Sequence, residues 1–156
     1  MTFERFCQAF LVWLFGVIGG YAWAYYHFVI NPKANNTLPN ILVKILNEKR
    51  QAGVDVKVLI NGKYPNDSMH FQHEATIKVL RELKIPYVSF SKNATMHAKF
   101  IIIDDRKVFL GSHNLSNTAL SRNYETSILI THKEVADEFI TWFNERWNTC
   151  KPGSSN

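Results

Sequence analysis

Eighteen residues, His97 to Asn114 (HAKFIIIDDRKVFLGSHN), constrain this chain more than any other stretch. Phe100 to Ile103 is an apolar run of strand length, Asp104-Asp105-Arg106 is a polar turn, and Val108 to Leu110 is a second apolar run. That pattern is a hairpin with both strands in a core. Side chains alternate along an extended chain, so His97 and Lys99 share a face, and a strand returning from Asp104 brings Ser112 and Asn114 back beside them. An imidazole, an ammonium, a hydroxyl and a carboxamide then meet next to the backbone N–H groups of a Gly-Ser turn. Such a patch suits a tetrahedral oxyanion such as phosphate.

Both faces of such a hairpin need covering. Upstream, Asn31 to Asn36 is a polar loop, and Thr37 can cap a helix that runs to about Ala52 and stops at Gly53. This helix buries Leu38, Ile41, Leu42, Ile45 and Leu46. Val54 to Ile60 reads as a strand, Ser68 to Leu83 as a second helix, Tyr87 to Phe90 as a strand, and Ser91 to Thr95 as the loop that delivers the chain to His97. Downstream, Ser116 to Asn123 is a short helix or loop over the site, and Glu125 to Thr131 is apolar enough for an inner strand. Thr131-His132-Lys133-Glu134 reads as a capping box, opening a helix to about Trp147 that aligns Val135, Phe139, Phe143 and Trp147. The fold class is therefore α/β, a mixed β-sheet flanked by helices on both faces. At 156 residues there is room for one core. It is placed at residues 21–150, between an apolar N-terminal segment (1–20) and a tail of Lys, Pro, Gly and Ser (151–156).

From Phe6 to Ile30 no Asp, Glu, Lys or Arg interrupts the chain. Three readings stay open. The run is long enough for a transmembrane helix, and Ala22-Trp23-Ala24 has the small-x-small form of a signal-peptidase site. Alternatively Gly19-Gly20 ends a short helix, and the aromatic stretch from Tyr21 to Ile30 is a strand. The first two imply a membrane-associated or exported protein. The surplus of Lys33, Lys44, Lys49 and Arg50 over Arg5 instead sets the following chain in the cytoplasm. Cys7 and Cys150 lie too far apart in sequence to read as a metal site or a disulfide framework. The net charge of +5 suits a polyanionic partner, nucleic acid or an anionic membrane surface.

The spacing H-x-K-x4-D-x6-G-S-x-N, carried by His97, Lys99, Asp104, Gly111, Ser112 and Asn114, resembles the signature of the phospholipase D superfamily. Gly53 to Ile60 resembles the family's second strand and Asn123-Tyr124-Glu125 its acidic segment, so the likeness covers roughly Tyr21 to Trp147. With one copy of the signature, the chain is similar to the small bacterial endonuclease-like and mitochondrial cardiolipin-hydrolase-like members. Near the motif the carboxylates are Asp104 and Asp105, too few for a two-metal cluster, so no metal and no other cofactor is expected. His97 would attack phosphorus as neutral imidazole and form a covalent phosphohistidine, with Lys99, Ser112 and Asn114 on the non-bridging oxygens. The resemblance implies that Glu125 orients the imidazole and that Asp104 buttresses the site. One His cannot attack and also protonate the leaving group on the opposite side. The resemblance therefore implies a twofold homodimer with the two His97 side chains facing each other.

Further candidates for substrate contact are Gly111, His113 at the variable position of the motif, and Lys92, Lys63 and Arg122 in loops that border it. His70 and His73 lie one helical turn apart without a third ligand, and His27 and His132 read as structural or solvent-facing. The leading functional expectation is a nonspecific endonuclease. The alternative is a lipid phosphodiesterase of the phospholipase D or cardiolipin-hydrolase kind, helped to a bilayer by the apolar N-terminus. The third is a non-catalytic phosphate-binding protein. The surface round the site discriminates the first two: an open basic groove means nucleic acid, and an apolar rim means lipid.

Overall fold

The computed structural model describes residues 25–30, 40–62, 67–90, 95–116, 119–120 and 122–150. Its elements are β1 (Tyr25–Ile30), α1 (Asn40–Gln51), β2 (Asp55–Asn61), α2 (Asp67–Glu82), β3 (Tyr87–Phe90), β4 (Phe100–Ile103), β5 (Lys107–Gly111), β6 (Ser127–Thr131) and α3 (Lys133–Thr149). The strands form one mixed sheet in the order β3-β2-β1-β4-β5-β6. β1 to β3 are parallel neighbours, and the remaining pairings are antiparallel.

β1 resolves one of the open readings. The last residues of the apolar N-terminal run are a central strand, paired with β2 from Tyr25↔Asp55 to Ile30↔Ile60 and with β4 at Phe28↔Ile101. The run to Ile30 is therefore not one continuous helix, and no helix of the described residues is long and apolar enough to cross a membrane. Residues 1–24, with Cys7 and the Ala22-Trp23-Ala24 triplet, lie outside the described residues, as does the 151–156 tail.

Alternation in the strands divides the core in two. Val56, Val58, Ile60, Ile101, Ile103 and Phe109 meet Leu42, Leu46, Ile77 and Leu80 of α1 and α2. On the opposite face Leu59, Phe100, Ile102 and Val108 meet Ala136 and Phe143 of α3. Each fully buried Leu, Ile or Phe contributes roughly 1.5–3 kcal/mol of transfer free energy, so both helix layers are held by the sheet. Gly53 ends α1 as expected. Its φ of +84° suits the left-handed position, and Val54 N–H bonds the Lys49 carbonyl at 3.1 Å while Gly53 N–H bonds that of Arg50 at 3.0 Å.

Two local expectations are corrected. β6 is not an inner strand: among the described residues it lies at the sheet edge, with Ile128 55% exposed. Apolar composition alone could not show that only its β5-facing side would be paired. The capping box does not form, because Thr131 still belongs to β6 and the N-cap of α3 is His132, which makes no side-chain capping bond. Instead the His132 imidazole pairs with the Glu134 carboxylate at 2.9 Å.

The topology fixes where a ligand can bind. Strand order reverses at β1, with β2 on one side and β4 on the other, and in open α/β sheets a crevice forms at the carboxyl ends of the strands at such a reversal. β4 runs antiparallel to β1, so the residues just before it, His97 and Lys99, sit at that end.

Candidate functional site

Asn61, the last residue of β2, holds the approach to His97. Its side chain is buried at 3% exposure, and its Oδ1 accepts the Met96 N–H at 2.9 Å. A buried carboxamide needs such a partner, and here the bond ties the residue before His97 to a central strand. The sequence reading ends that strand one residue earlier, at Ile60, and gives Asn61 no part in the site. Beyond it His97 is exposed and Lys99 half-buried, and the Lys99 ammonium donates to the His97 carbonyl at 2.6 Å.

The returning strand brings in the rest. β5 ends at Gly111, opposite Ser127 of β6, and Ser112 N–H continues the ladder to the Thr126 carbonyl at 3.0 Å. A Cβ at Gly111 would collide with that same carbonyl oxygen and come within 2.8 Å of His113 Nδ1, so the turn closes only on glycine. The Ser112 hydroxyl donates to Glu125 Oε2 and accepts the Thr126 N–H at 3.1 Å. Asn123 donates to the other Glu125 oxygen at 3.0 Å. Burial alone would push the Glu125 carboxyl up. The hydrogen bonds from Ser112 and Asn123, with the positive charges of His113 and Lys99, outweigh it and hold the group below its usual pKa, hence ionised. Asn114 completes the turn, and its Oδ1 is buried without a hydrogen-bond partner among the described residues.

Of the expected site residues, the fold brings His97, Lys99, Gly111, Ser112, Asn114 and Glu125 to one end of the sheet. Two expectations are corrected. Asp104 does not buttress the site, for it lies in the β4–β5 turn at the far end of the hairpin. There it takes a left-handed φ of +53°, and Asp105 takes +51°. Burial raises the Asp104 carboxyl pKa, with Lys107 and Lys49 opposing and Asp105 adding to the rise. His113 does not face outward to substrate. It is 4% exposed, its Nδ1 shares a 2.8 Å hydrogen bond with Ser127 Oγ, and its ring packs 5.0 Å from that of Phe109. Burial lowers its pKa, Glu125 opposing and Lys99 assisting. Arg122 is exposed one residue before Asn123, while Lys63 and Lys92 lie outside the described residues, as do the side chains of His27, His70 and His73. Among the described residues no three His, Cys, Asp or Glu side chains are grouped to hold a metal ion. Cys150 is a buried free thiol in the α3-side core.

A cleft of about 610 Å³ opens from His97, Lys99 and Gly111 along α3. Its walls are Phe100, Leu110, Phe139 and Trp142, and the other charged residues lining it among the described residues are Glu138 and Glu145. Phe100 packs edge-on against Phe139 and Trp142, with ring centroids 4.9 and 5.3 Å away, which fixes the wall. The helical spacing of α3 was legible beforehand. That its residues reach the motif, some forty positions upstream, was not.

A family model described as "Cardiolipin synthase, PLD-like domain" matches residues 24–147. A protein named phospholipase D from Rickettsia bellii is 32% identical over 111 residues, 69% of this chain and 51% of that protein. A mitochondrial cardiolipin hydrolase from Chlamydomonas reinhardtii is 26% identical over 117 residues, 75% of this chain and 48% of the other. This chain thus spans about half the length of the curated relatives it matches. Among solved structures, the phospholipase D family member Nuc from Salmonella typhimurium superposes with a TM-score of 0.74 at 22% identity, covering 93% of this chain and 91% of that one. NucT from Helicobacter pylori superposes with a TM-score of 0.71 at 22% identity, covering 96% and 92%.

Proposed function

The chain belongs to the phospholipase D superfamily, and from that premise we propose that it is a phosphodiester hydrolase with the His97 imidazole as nucleophile. One observation carries the reading: His97 and Lys99 open onto the same cleft as Gly111, beside a Ser112 hydroxyl fixed by an ionised Glu125. Neutral His97 attacks phosphorus, one alcohol leaves, and the phosphohistidine is then hydrolysed by water. Lys99 supplies the charge on the non-bridging oxygens, with the Asn114 carboxamide as a further donor, while the Ser112 hydroxyl spends its proton on fixing Glu125. Glu125 is the carboxylate within the site to hold the imidazole in its reactive tautomer. The proton for the departing alcohol comes from a second His97, in a twofold dimer of this chain. No step calls for a metal.

Two substrate classes fit this chemistry. The net charge of +5 supports a nucleic-acid backbone. A specific observation favours a phospholipid: the rim beside His97 is apolar on Phe100, Leu110, Phe139 and Trp142, and among the described residues its added charges are carboxylates. That apolar rim supports the phospholipid reading. Purified protein is incubated in EDTA with plasmid DNA, RNA and phospholipid vesicles, alongside His97→Ala. The expected result is EDTA-resistant vesicle hydrolysis that drops by about 10³-fold or more in the variant. Cleavage that requires added metal, or that survives His97→Ala, rules out the mechanism.

A further inference from the structure

We infer that Asn61 is a positioning residue for the proposed hydrolysis: by holding the Met96 N–H across the place where β1 ends, its carboxamide sets the reach of the His97 imidazole on phosphorus. The inference rests on His97 being the nucleophile and adds what aims it. Asn61 stands outside the H-x-K-x4-D-x6-G-S-x-N spacing, and the bond joins residues 35 positions apart.

His97 itself lies in no strand. β4 begins at Phe100, and the hairpin ladder reaches back to Lys99, whose carbonyl accepts the Gly111 N–H at 3.4 Å. β1 gives no support further on, because its pairing with β2 ends at Ile30↔Ile60, one residue short of Asn61. β2 runs past that point. Asn61 pairs with Phe90 of β3, and the Gly62 N–H donates to the Phe90 carbonyl at 2.6 Å. Asn61 thus stands on a held backbone beside the crevice at the strand reversal. Its side chain does there what a longer β1 would do, giving the arriving chain a hydrogen-bond partner.

Two anchors meet at Met96. Its side chain is 4% exposed in the α3-side core with Leu59 and Phe100, and its N–H is taken by Asn61 Oδ1 at 2.9 Å. The bond is buried, so solvent does not compete for it. The next residue, His97, is exposed. An accessible ring on a pinned backbone is what attack requires, since a misplacement of about 1 Å costs on the order of 10²-fold in rate. The phosphate grips are held by other means. Lys99 belongs to the hairpin ladder, and Asn114 follows the turn that Ser112 N–H and the Thr126 carbonyl close at 3.0 Å. Loss of the Asn61 bond therefore slows the attack and leaves the grip on substrate in place.

The test is steady-state hydrolysis of bis(p-nitrophenyl) phosphate in EDTA by the whole protein. p-Nitrophenolate departs without a proton, so the reaction reports the attack. Asn61→Leu keeps the size of the side chain and removes the acceptor. Its kcat is expected to fall about 10- to 100-fold, with KM within about twofold of the wild type. Asn61→Asp restores the acceptor and is expected to bring kcat back to within about fivefold. Leu80→Ala, in the core between α2 and the sheet, is the control for lost stability: it lowers the melting temperature and keeps kcat within about twofold. If Asn61→Leu does not fold, Asn61→Ser, which leaves room for a water in place of the acceptor, takes the same readings. An unchanged kcat, an Asp variant no better than Leu, or a loss in Leu80→Ala as large as in Asn61→Leu overturns the inference while leaving His97 chemistry standing. A rise in KM that accounts for the whole loss does the same. No hydrolysis by the wild type, or hydrolysis that survives His97→Ala, removes the proposed function and this inference together.

Discussion

A single methyl group separates a closed from an open site at position 111. Added to Gly111 it would strike the Thr126 backbone carbonyl, which the ladder holds in place through Ser112 N–H, and crowd the hydrogen-bonded side chains of His113 and Ser127. Gly111→Ala is expected to lower stability by about 2–3 kcal/mol in urea unfolding, and activity with it, because Ser112 and Glu125 hang on the same ladder. His113 gives the site a pH dependence. Burial lowers its pKa, so the unfolded chain takes up a proton near pH 6.5 while the folded protein resists until lower pH. Stability from this group is complete above about pH 6.5 and is lost as pH falls towards the folded value. Urea midpoints between pH 7.5 and 5 should therefore fall more steeply for the wild type than for His113→Asn, and parallel curves would refute the assignment. The motif's residue types and their convergence were legible in sequence. The inward turn of His113 was not, because the motif's spacing says nothing of which neighbour will bury an intervening side chain.

At the scale of elements the β4–β5 hairpin appeared where its apolar runs placed it, since strand period and turn composition act over a few residues. The role of its turn did not follow. Asp104 lies within the six-position signature yet sits at the opposite end from His97, because four strand residues carry the chain away from the site. Its carboxyl pKa is raised chiefly by burial, so its contribution to stability is present below about pH 3.8 and is lost as pH rises through the folded value. Asp104→Asn keeps a residue that tolerates left-handed φ and removes the charge. We expect it to be more stable than the wild type at pH 7, with the gain vanishing near pH 3, and to hold activity within about twofold. A large loss of activity with the fold intact would return Asp104 to the site. The failed capping box at Thr131 has a related origin: a short local motif yielded to a strand pairing that the motif does not encode.

For the molecule as a whole, one motif supplies one imidazole, and the proposed chemistry needs two. Specific activity is accordingly expected to fall on dilution in step with loss of the dimer, followed by light scattering and by vesicle hydrolysis at matched concentrations. Full activity in a population that is monomeric by mass would break the link between pairing and catalysis. The sequence by itself determined the strands and helices that follow Gly53, the hairpin and the motif residues that converge beside it, because strand and helix periodicity and turn chemistry are written within about ten residues of one another. Only the tertiary structure decided that Tyr25–Ile30 is the centre of the sheet, that Asn61 holds the residue before His97, and that Glu138 and Trp142 wall the cleft. Those outcomes come from burying both faces of one sheet at once, and that packing joins residues tens of positions apart with no local pattern to announce them.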